Sequence, residues 1–329
     1  MTVARMRAAR YREHGTPDVL TIESVRRPTP GRGEVLVDVR SAGVNPIDTY
    51  VMAGNVPPAG GLPATTGSDL AGVVDDVGPG VERFASGDRV YATALGLRSP
   101  GSLAEYAVVP ASALAHLPSA VPFVDGAAAA MAFATAWRGL RDRGGLQIGD
   151  RCLVAGAAGG VGHAAVQVAA AAGATVVGLA RPETADFVRD LGADEVVDYR
   201  RDDLAAALEG ATGGGLDVAL ETHADANLVP EIAAAASGAR IVVLGEEGTV
   251  SVDPGTAMTA KQADLDVRFM SLAAAVDEQA PVLGAVAPFL ADGRFRPRVD
   301  SRFDLDEAAA AYRRLGESGL RGRVVVDIG

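Results

Sequence analysis

The sequence predicts an α/β protein in which a barrel-like all-β domain accompanies a doubly wound parallel sheet. Three observations carry this. Residues 153–181, LVAGAAGGVGHAAVQVAAAAGATVVGLAR, read as strand, glycine turn, helix and second strand. From about Val124 onward strand-like and helix-like segments alternate, the pattern of parallel strands joined by right-handed crossovers. Before that point the strands are short and are punctuated by prolines at 28, 30, 46, 57, 58, 63, 79, 100 and 110, which suits a barrel better than a parallel sheet.

Taken in order, residues 35–40 (VLVDVR) alternate apolar and polar, residues 70–77 form a strand interrupted by Gly72, and Gly87-Asp88 turns the chain into a strand at 89–92. In the alternating region strands are expected at 152–155, 175–179, 195–197, 217–220 and 241–244. Helices are expected at 184–191, 204–208 and 229–236. Alanine clusters at 127–130, 169–172, 205–207, 233–236 and 308–311 read as good helix formers whose small side chains permit close packing. The tail, with strands at 298–303 and 323–328 around a helix at 306–315, breaks the rhythm and is expected to rejoin the first domain.

The bulk numbers bound the function. The 329 residues suffice for two domains, and 48% hydrophobic with 22% charged residues describes a soluble globular chain. No apolar run reaches the roughly 18 residues of a membrane span, and no apolar core follows Arg5, Arg7, Arg10 and Arg12. The expectation is a cytoplasmic protein without a membrane partner. Forty-two acids against 30 bases give a net charge of −12, which disfavours nucleic acid as a partner. Lys261 is the only lysine; the acidic, lysine-poor composition fits either adaptation to high salt or codon bias in a GC-rich genome. Cys152 is the only cysteine, so an intrachain disulfide is impossible and a reducing compartment fits.

The chemistry gathers at the glycine turn. Read from Gly156 the pattern is G-x-x-G-x-x-G; read as G-x-G-x-x-G ending at Gly162 its first position is Ala157, a partial match. Such a turn brings backbone N–H groups to a pyrophosphate at a helix N-terminus. Roughly 20 residues farther on, where an NAD site places an acid against the ribose 2′-hydroxyl, stands Arg181. A guanidinium donates to a 2′-phosphate, so NADPH is the expected cofactor; the alternative is a surface arginine after a strand. His14, His116, His163 and His223 show no metal spacing, and no Ser-His-Asp or Cys-His grouping can be assigned.

Four segments in this order resemble the medium-chain dehydrogenase/reductase superfamily: Gly43-Val44-Asn45-Pro46-Ile47-Asp48-Thr49-Tyr50, Gly67-Ser68-Asp69-Leu70-Ala71-Gly72-Val73-Val74, Gly87-Asp88-Arg89-Val90 and Ala157-Ala158-Gly159-Gly160-Val161-Gly162. Within it the chain is most similar to the zeta-crystallin type of NADPH:quinone oxidoreductase, from Met6-Arg7-Ala8 to Gly322-Arg323-Val324. The resemblance implies a GroES-like catalytic domain of residues 1–123 and 296–329, a Rossmann NADPH-binding domain of residues 124–295, a homodimer or homotetramer, and a cleft between the domains. It implies that Ala158, Gly159, Gly160, Val161 and Gly162 hold the pyrophosphate and that Arg181 and Tyr199 flank the adenosine phosphate. Asn227, Leu244, Gly245, Glu246 and Glu247 would line the cofactor cleft, and Tyr50 and Thr135 the nicotinamide end. Asn45 and Asp48 would face the substrate, or else form a structural Asx turn.

Zinc-dependent members carry Cys where this chain has Asn45, His-Glu where it has Ser68-Asp69, and a four-cysteine lobe, so no zinc is expected. Without a Lewis acid a simple ketone is a poor acceptor, whereas a quinone takes hydride as a delocalised phenolate. Val56 replaces an aromatic of many relatives and stands near the catalytic Tyr of enoyl-thioester reductases, against that chemistry here. Glu246 and Glu247 are acids where close relatives can be basic. The leading expectation is hydride transfer from NADPH to a quinone or similarly activated carbonyl. The alternatives are an NADPH-dependent reductase of α,β-unsaturated ketones or aldehydes and a low-turnover NADPH-binding protein.

Overall fold

The structure, a computed structural model, describes residues 4–97 and 99–329. The chain divides into two compact units, Met1–Ala134 with Ala275–Gly329, and Thr135–Ala274. The first part of the chain supplies β1 (Arg5–Tyr11), β2 (Thr21–Arg26), β3 (Glu34–Gly43), α1 (Pro46–Met52), β4 (Ala64–Thr65), β5 (Leu70–Val77), β6 (Arg89–Ala92), β7 (Tyr106–Pro110), β8 (Ala115–His116) and α2 (Phe123–Trp137). A π-helical turn, Arg138–Arg143, leads to β9 (Arg151–Val154), α3 (Gly162–Ala171), β10 (Thr175–Leu179), α4 (Ala185–Asp190), β11 (Glu195–Val197) and α5 (Leu204–Thr212). Then come β12 (Leu216–Glu221), α6 (Ala224–Ala233), β13 (Ala235–Val243), α7 (Pro254–Gln262) and β14 (Asp266–Phe269). The tail holds α8 (Gln279–Ala291), β15 (Val299–Asp304), α9 (Ala308–Leu315) and β16 (Arg323–Asp327).

In the unit built from both chain ends, a seven-stranded sheet runs β15-β16-β3-β5-β6-β8, with β7 also paired to β3, and a second sheet runs β2-β1-β4. The ten residues of β3 are long enough to be shared: Glu34 to Asp38 pair with β7, and Ser41 to Gly43 pair with β16. The alternation in β3 puts Val35, Val37 and Val39 into one core with Leu70, Val90, Leu103, Leu114, Val324 and Val326. Each such side chain, fully buried, contributes about 1.5–3 kcal/mol. Gly72 does not break β5 but permits it to approach β3, because a Cβ there would press into the Asp38 carbonyl oxygen.

The other unit is a six-stranded, all-parallel sheet in the order β11-β10-β9-β12-β13-β14. Renumbered within the unit this is 3-2-1-4-5-6, so the connections leave β9 toward one side and return toward the other between β9 and β12. The chain therefore opens a crevice at the carboxyl ends of β9 and β12, where ligands of such sheets bind. Residues Gly162 to Ala169 of α3 are all buried, which their small side chains make possible.

Two elements of the parallel sheet differ from the sequence reading. The helix expected at 229–236 lies at Ala224–Ala233, around Pro230, and Ala235 already begins β13 opposite Leu216. Alanine propensity at 233–236 yields there to parallel pairing. The second difference is β14, where no strand is expected: its burial is slight, so no apolar pattern marks it.

Candidate cofactor site and a buried polar network

In the parallel-sheet unit the end of β9 runs into Ala155, Gly156 and Ala157. The Ala155 N–H donates to Leu220 O at 2.9 Å and the Ala157 N–H to Leu179 O at 2.9 Å, so the turn is tied to both neighbouring strands. Gly156 has φ +60, and a Cβ on Gly162 would press into the Gly156 carbonyl oxygen; the helix start and the strand end touch backbone to backbone. This close approach holds Ala158, Gly159, Gly160 and Val161 in the turn and presents the Gly160, Val161 and Gly162 N–H groups at the start of the ten-residue α3, whereas the His163 and Ala164 N–H groups already donate to Gly159 O and Val161 O. His163 sits one residue later, buried, with Nδ1 3.2 Å from Gly159 O, a structural position.

Arg181 follows β10, and its Nε donates to the Tyr199 hydroxyl at 2.8 Å. Among the described residues no carboxylate lies within ion-pair distance of Arg181, in contrast to Arg200, paired with Asp198 at 2.9 Å, and Arg201, paired with Asp203 at 2.7 Å. The charges of Arg200 and Glu183 both act on Arg181, the first repelling and the second attracting. A guanidinium outside ion-pair distance of any carboxylate can donate to an anion.

At the carboxyl end of β12 the chain turns into α6. Leu244 N–H donates to Glu221 O at 2.7 Å and Ala224 N–H to Gly245 O at 3.0 Å, which fixes Leu244 and Gly245 against the turn. Asn227 is buried and its Nδ2 lies 3.4 Å from Glu221 Oε1. Glu246 and Glu247 are exposed; the Glu247 backbone N–H donates to Asp225 at 3.0 Å, and its carboxylate lies 4.0 Å from His223 Nε2. Thr135, near the end of α2, is buried.

In the other unit Tyr50 is 51% exposed on α1, whereas Asn45 and Asp48 are buried. Asp48 acts locally as a cap: its Oδ2 accepts the Asn45 backbone N–H at 3.0 Å. The Tyr312 hydroxyl donates to the same oxygen at 3.1 Å and lies 2.9 Å from the Thr66 hydroxyl. Burial pushes the Asp48 carboxyl up to about 7, against the pull of its hydrogen bonds. Beside it Asn45 Nδ2 donates to Ser68 Oγ and to Asp69 Oδ2, each at 2.9 Å; Thr93 donates to Asp69 at 2.5 Å, and Arg323 Nη2 to Asp69 at 2.8 Å. Arg323 is 4% exposed and Asp69 0%. Burial raises the Asp69 carboxyl and lowers the Arg323 guanidinium, each against the attraction of its partner.

Residues 31–119 match the alcohol dehydrogenase GroES-like domain, and residues 191–326 match the zinc-binding dehydrogenase family. The quinone oxidoreductase of Lama guanicoe is 35% identical over 98% of this chain and 97% of its own, and that of Homo sapiens is 32% identical over the same shares. A mycobacterial protein solved in complex with NADPH is 30% identical, with a TM-score of 0.85 over 98% of this chain and 99% of that one. The chain belongs to the quinone oxidoreductase family of medium-chain dehydrogenase/reductases. It is an enzyme, a nicotinamide-dependent oxidoreductase with a GroES-like domain and a Rossmann-like parallel sheet.

Zinc, which one matched family's description names, does not fit the donor set at the positions where zinc-dependent relatives hold it. Asn45 offers only a neutral amide oxygen in place of a thiolate, a poor ligand for zinc, and Asp69 already faces a guanidinium cation. Among the described residues no group of three or more His, Cys, Asp or Glu is placed to hold a metal ion. Nor is any described helix long and apolar enough to cross a membrane. Cys152 is fully buried in β9, and burial pushes its thiol up, away from reactivity.

Sequence reasoning passed over Arg200, Thr93, Tyr312 and the pairing role of Arg323. The signal for Arg323 was a lone base opening the apolar run RVVVD, which demands a buried acid. Tyr312 and Thr93 carry no such signal.

Proposed function

We propose that this enzyme transfers a hydride from NADPH to a quinone or similarly activated carbonyl, without zinc. The observation that carries the cofactor half is the pairing of the Gly156–Gly162 turn with Arg181, which keeps one edge of its guanidinium free of any carboxylate while Tyr199 holds Nε. Gly160, Val161 and Gly162 offer N–H groups to the pyrophosphate, while Gly159, whose own N–H donates to Gly156 O at 2.8 Å, gives it close approach and Ala158 packs behind them; Arg181, Tyr199 and Arg200 take the 2′-phosphate. Asn227, Leu244, Gly245, Glu246 and Glu247 border the cofactor, and Tyr50 and Thr135 orient the nicotinamide. When bound, NADPH supplies the hydride.

The acceptor half rests on the relatives' name and on the chemistry left to the chain. Asn45 and Asp48 are engaged in the buried network and offer no Lewis acid, so the residues bind, orient and exclude water rather than polarise a carbonyl. A quinone meets that limit because its reduced form spreads the negative charge over the ring. Both chain ends form the catalytic domain in this reading, and the enzyme works in the cytoplasm as a homodimer or homotetramer.

The test is NADPH oxidation followed with a panel of quinones, enones and simple aldehydes. Turnover confined to quinones supports the proposal. Turnover with enones alone replaces it by alkene reduction, and aldehyde reduction at comparable rates overturns the activated-acceptor reading.

A further inference from the structure

Two carboxyl groups in the parallel-sheet unit are fully buried and belong to no ion pair among the described residues: Glu221, the last residue of β12, and Glu231, on α6. Glu221 Oε1 accepts the backbone N–H of His223 and faces Asn227 Nδ2 at 3.4 Å. Its other oxygen, and both oxygens of Glu231, receive no N–H or O–H from the protein among the described residues. The group that acts on Glu231 is Glu221, the other buried acid, on the strand against which α6 packs. Two ionised carboxylates there would set acceptor against acceptor in a dry site; one shared proton converts the contact into an O–H···O⁻ bond.

The position gives the pair a task. Glu231 follows Asn227 by one helical turn on α6, and Glu221 accepts from His223, the second residue after β12, so the pair ties strand end to helix across the corner carrying Asn227 and His223. Pro230 precedes Glu231 inside α6 and removes a backbone donor from the same turn, which leaves the side-chain pair with more of the holding to do.

We propose that Glu231 is a positioning residue: it holds a proton against Glu221, and the resulting carboxylic acid–carboxylate pair fixes the β12–α6 corner so that Asn227 borders the cofactor. This rests on the NADPH reading above. Burial first, and the Glu221 charge second, push Glu231 well above the usual carboxylic range. The packed elements also carry His223 and Asp225 at the corner, Glu209 on α5, Lys261 on α7, Arg240 on β13, Arg151 and the preceding Asp150 at β9, and Arg138, Arg141, Asp142 and Arg143 in the π-helical turn. Glu221 is the group whose charge acts on Glu231.

The experiment compares wild type with Glu231→Gln, whose amide keeps a donor but no titratable proton, and Glu231→Ala. The unfolding midpoint without cofactor and the NADPH Kd are measured from pH 6 to pH 10. In wild type the midpoint is expected to fall as pH rises through the titration of the pair and to level off once the shared proton has left, with NADPH binding weakened by up to about tenfold over the same range. Glu231→Gln is expected within about twofold of wild type at neutral pH and flat where wild type falls, while Glu231→Ala weakens NADPH about tenfold at every pH with kcat unchanged. Identical pH profiles in wild type and Glu231→Gln overturn the shared proton. A midpoint that moves while NADPH affinity does not overturns the positioning role. Should Glu231→Ala not fold, the Gln profile decides alone; should wild type not bind NADPH, the cofactor reading and the positioning role fail together, and the shared proton is judged by the midpoint.

Discussion

The Nε of Arg181 is spent on the Tyr199 hydroxyl at 2.8 Å, which fixes the plane of the guanidinium and leaves its Nη edge to meet an anion. Replacing Arg181 with Ala removes a charge-assisted contact of about 1.5–3 kcal/mol, so the preference for NADPH over NADH should fall by one to two decades. Tyr199→Phe, which only frees the plane, should cost less than tenfold. Kd values for the two cofactors check both, and an unchanged ratio in Arg181→Ala removes Arg181 from the site.

Three glycines of the turn respond differently to a methyl group. At Gly162 it would press into the Gly156 carbonyl oxygen, so Gly162→Ala should lower the unfolding midpoint and abolish NADPH binding together. At Gly156 the backbone has φ +60 and a Cβ would stand 2.8 Å from Thr222 Oγ1, an intermediate case. At Gly159 the nearest atom is Gly156 O at 3.2 Å. Gly159→Ala should therefore keep its midpoint within a few degrees of wild type and lose NADPH affinity by about tenfold, because the pyrophosphate loses its close approach.

Asp48 gives the fold a pH signature. Its carboxyl releases its proton near 3.8 in the unfolded chain and at about 7 in the folded one, so the folded state holds an extra proton between those values. Stability must then fall as pH rises from about 4 to about 7 and level off above, by roughly 2–4 kcal/mol from this group. Asp48→Asn removes the titration. Urea unfolding at pH 5 and pH 8 should show a smaller loss in the variant than in wild type, and equal losses would contradict the assignment.

Arg323 and Asp69 make a buried pair whose rupture is costlier than its absence. Arg323→Met alone strands the Asp69 carboxylate and should destabilise by about 3–5 kcal/mol, whereas Arg323→Met with Asp69→Asn should recover much of that. Chemical denaturation of both variants measures the difference.

How much of this could be read in the residues varies with the physics. The parallel sheet was legible because β9, β10 and β12 are buried on both faces and stand out as apolar runs between glycine and alanine-rich segments. β14 was not, since its residues Asp266, Val267 and Phe269 are exposed and its only mark is pairing with β13. The glycine turn announced itself by spacing, and Arg181 by its distance from that turn. Asn45 and Asp48 were found by resemblance, but their engagement inward, by Tyr312 from 264 positions away, follows from tertiary packing that no local pattern encodes. Glu221 and Glu231 looked like two ordinary acids in a chain of 42. Only the fold reveals that both lost their water.

The shared edge of β3 has a consequence for how the molecule is made. Its Ser41–Gly43 end is paired by β16, and the Asp69 carboxylate behind it is neutralised by Arg323, both from the last seven residues of the chain. During synthesis at about 5–20 residues per second, β3 must wait until the chain has been translated past Asp327 before it gains that partner. The parallel-sheet unit, contiguous in sequence from Thr135 to Ala274, has all its strands well before then. The second unit to begin emerging from the ribosome is thus the first that can finish folding, and a truncation of a few C-terminal residues harms the N-terminal strands most.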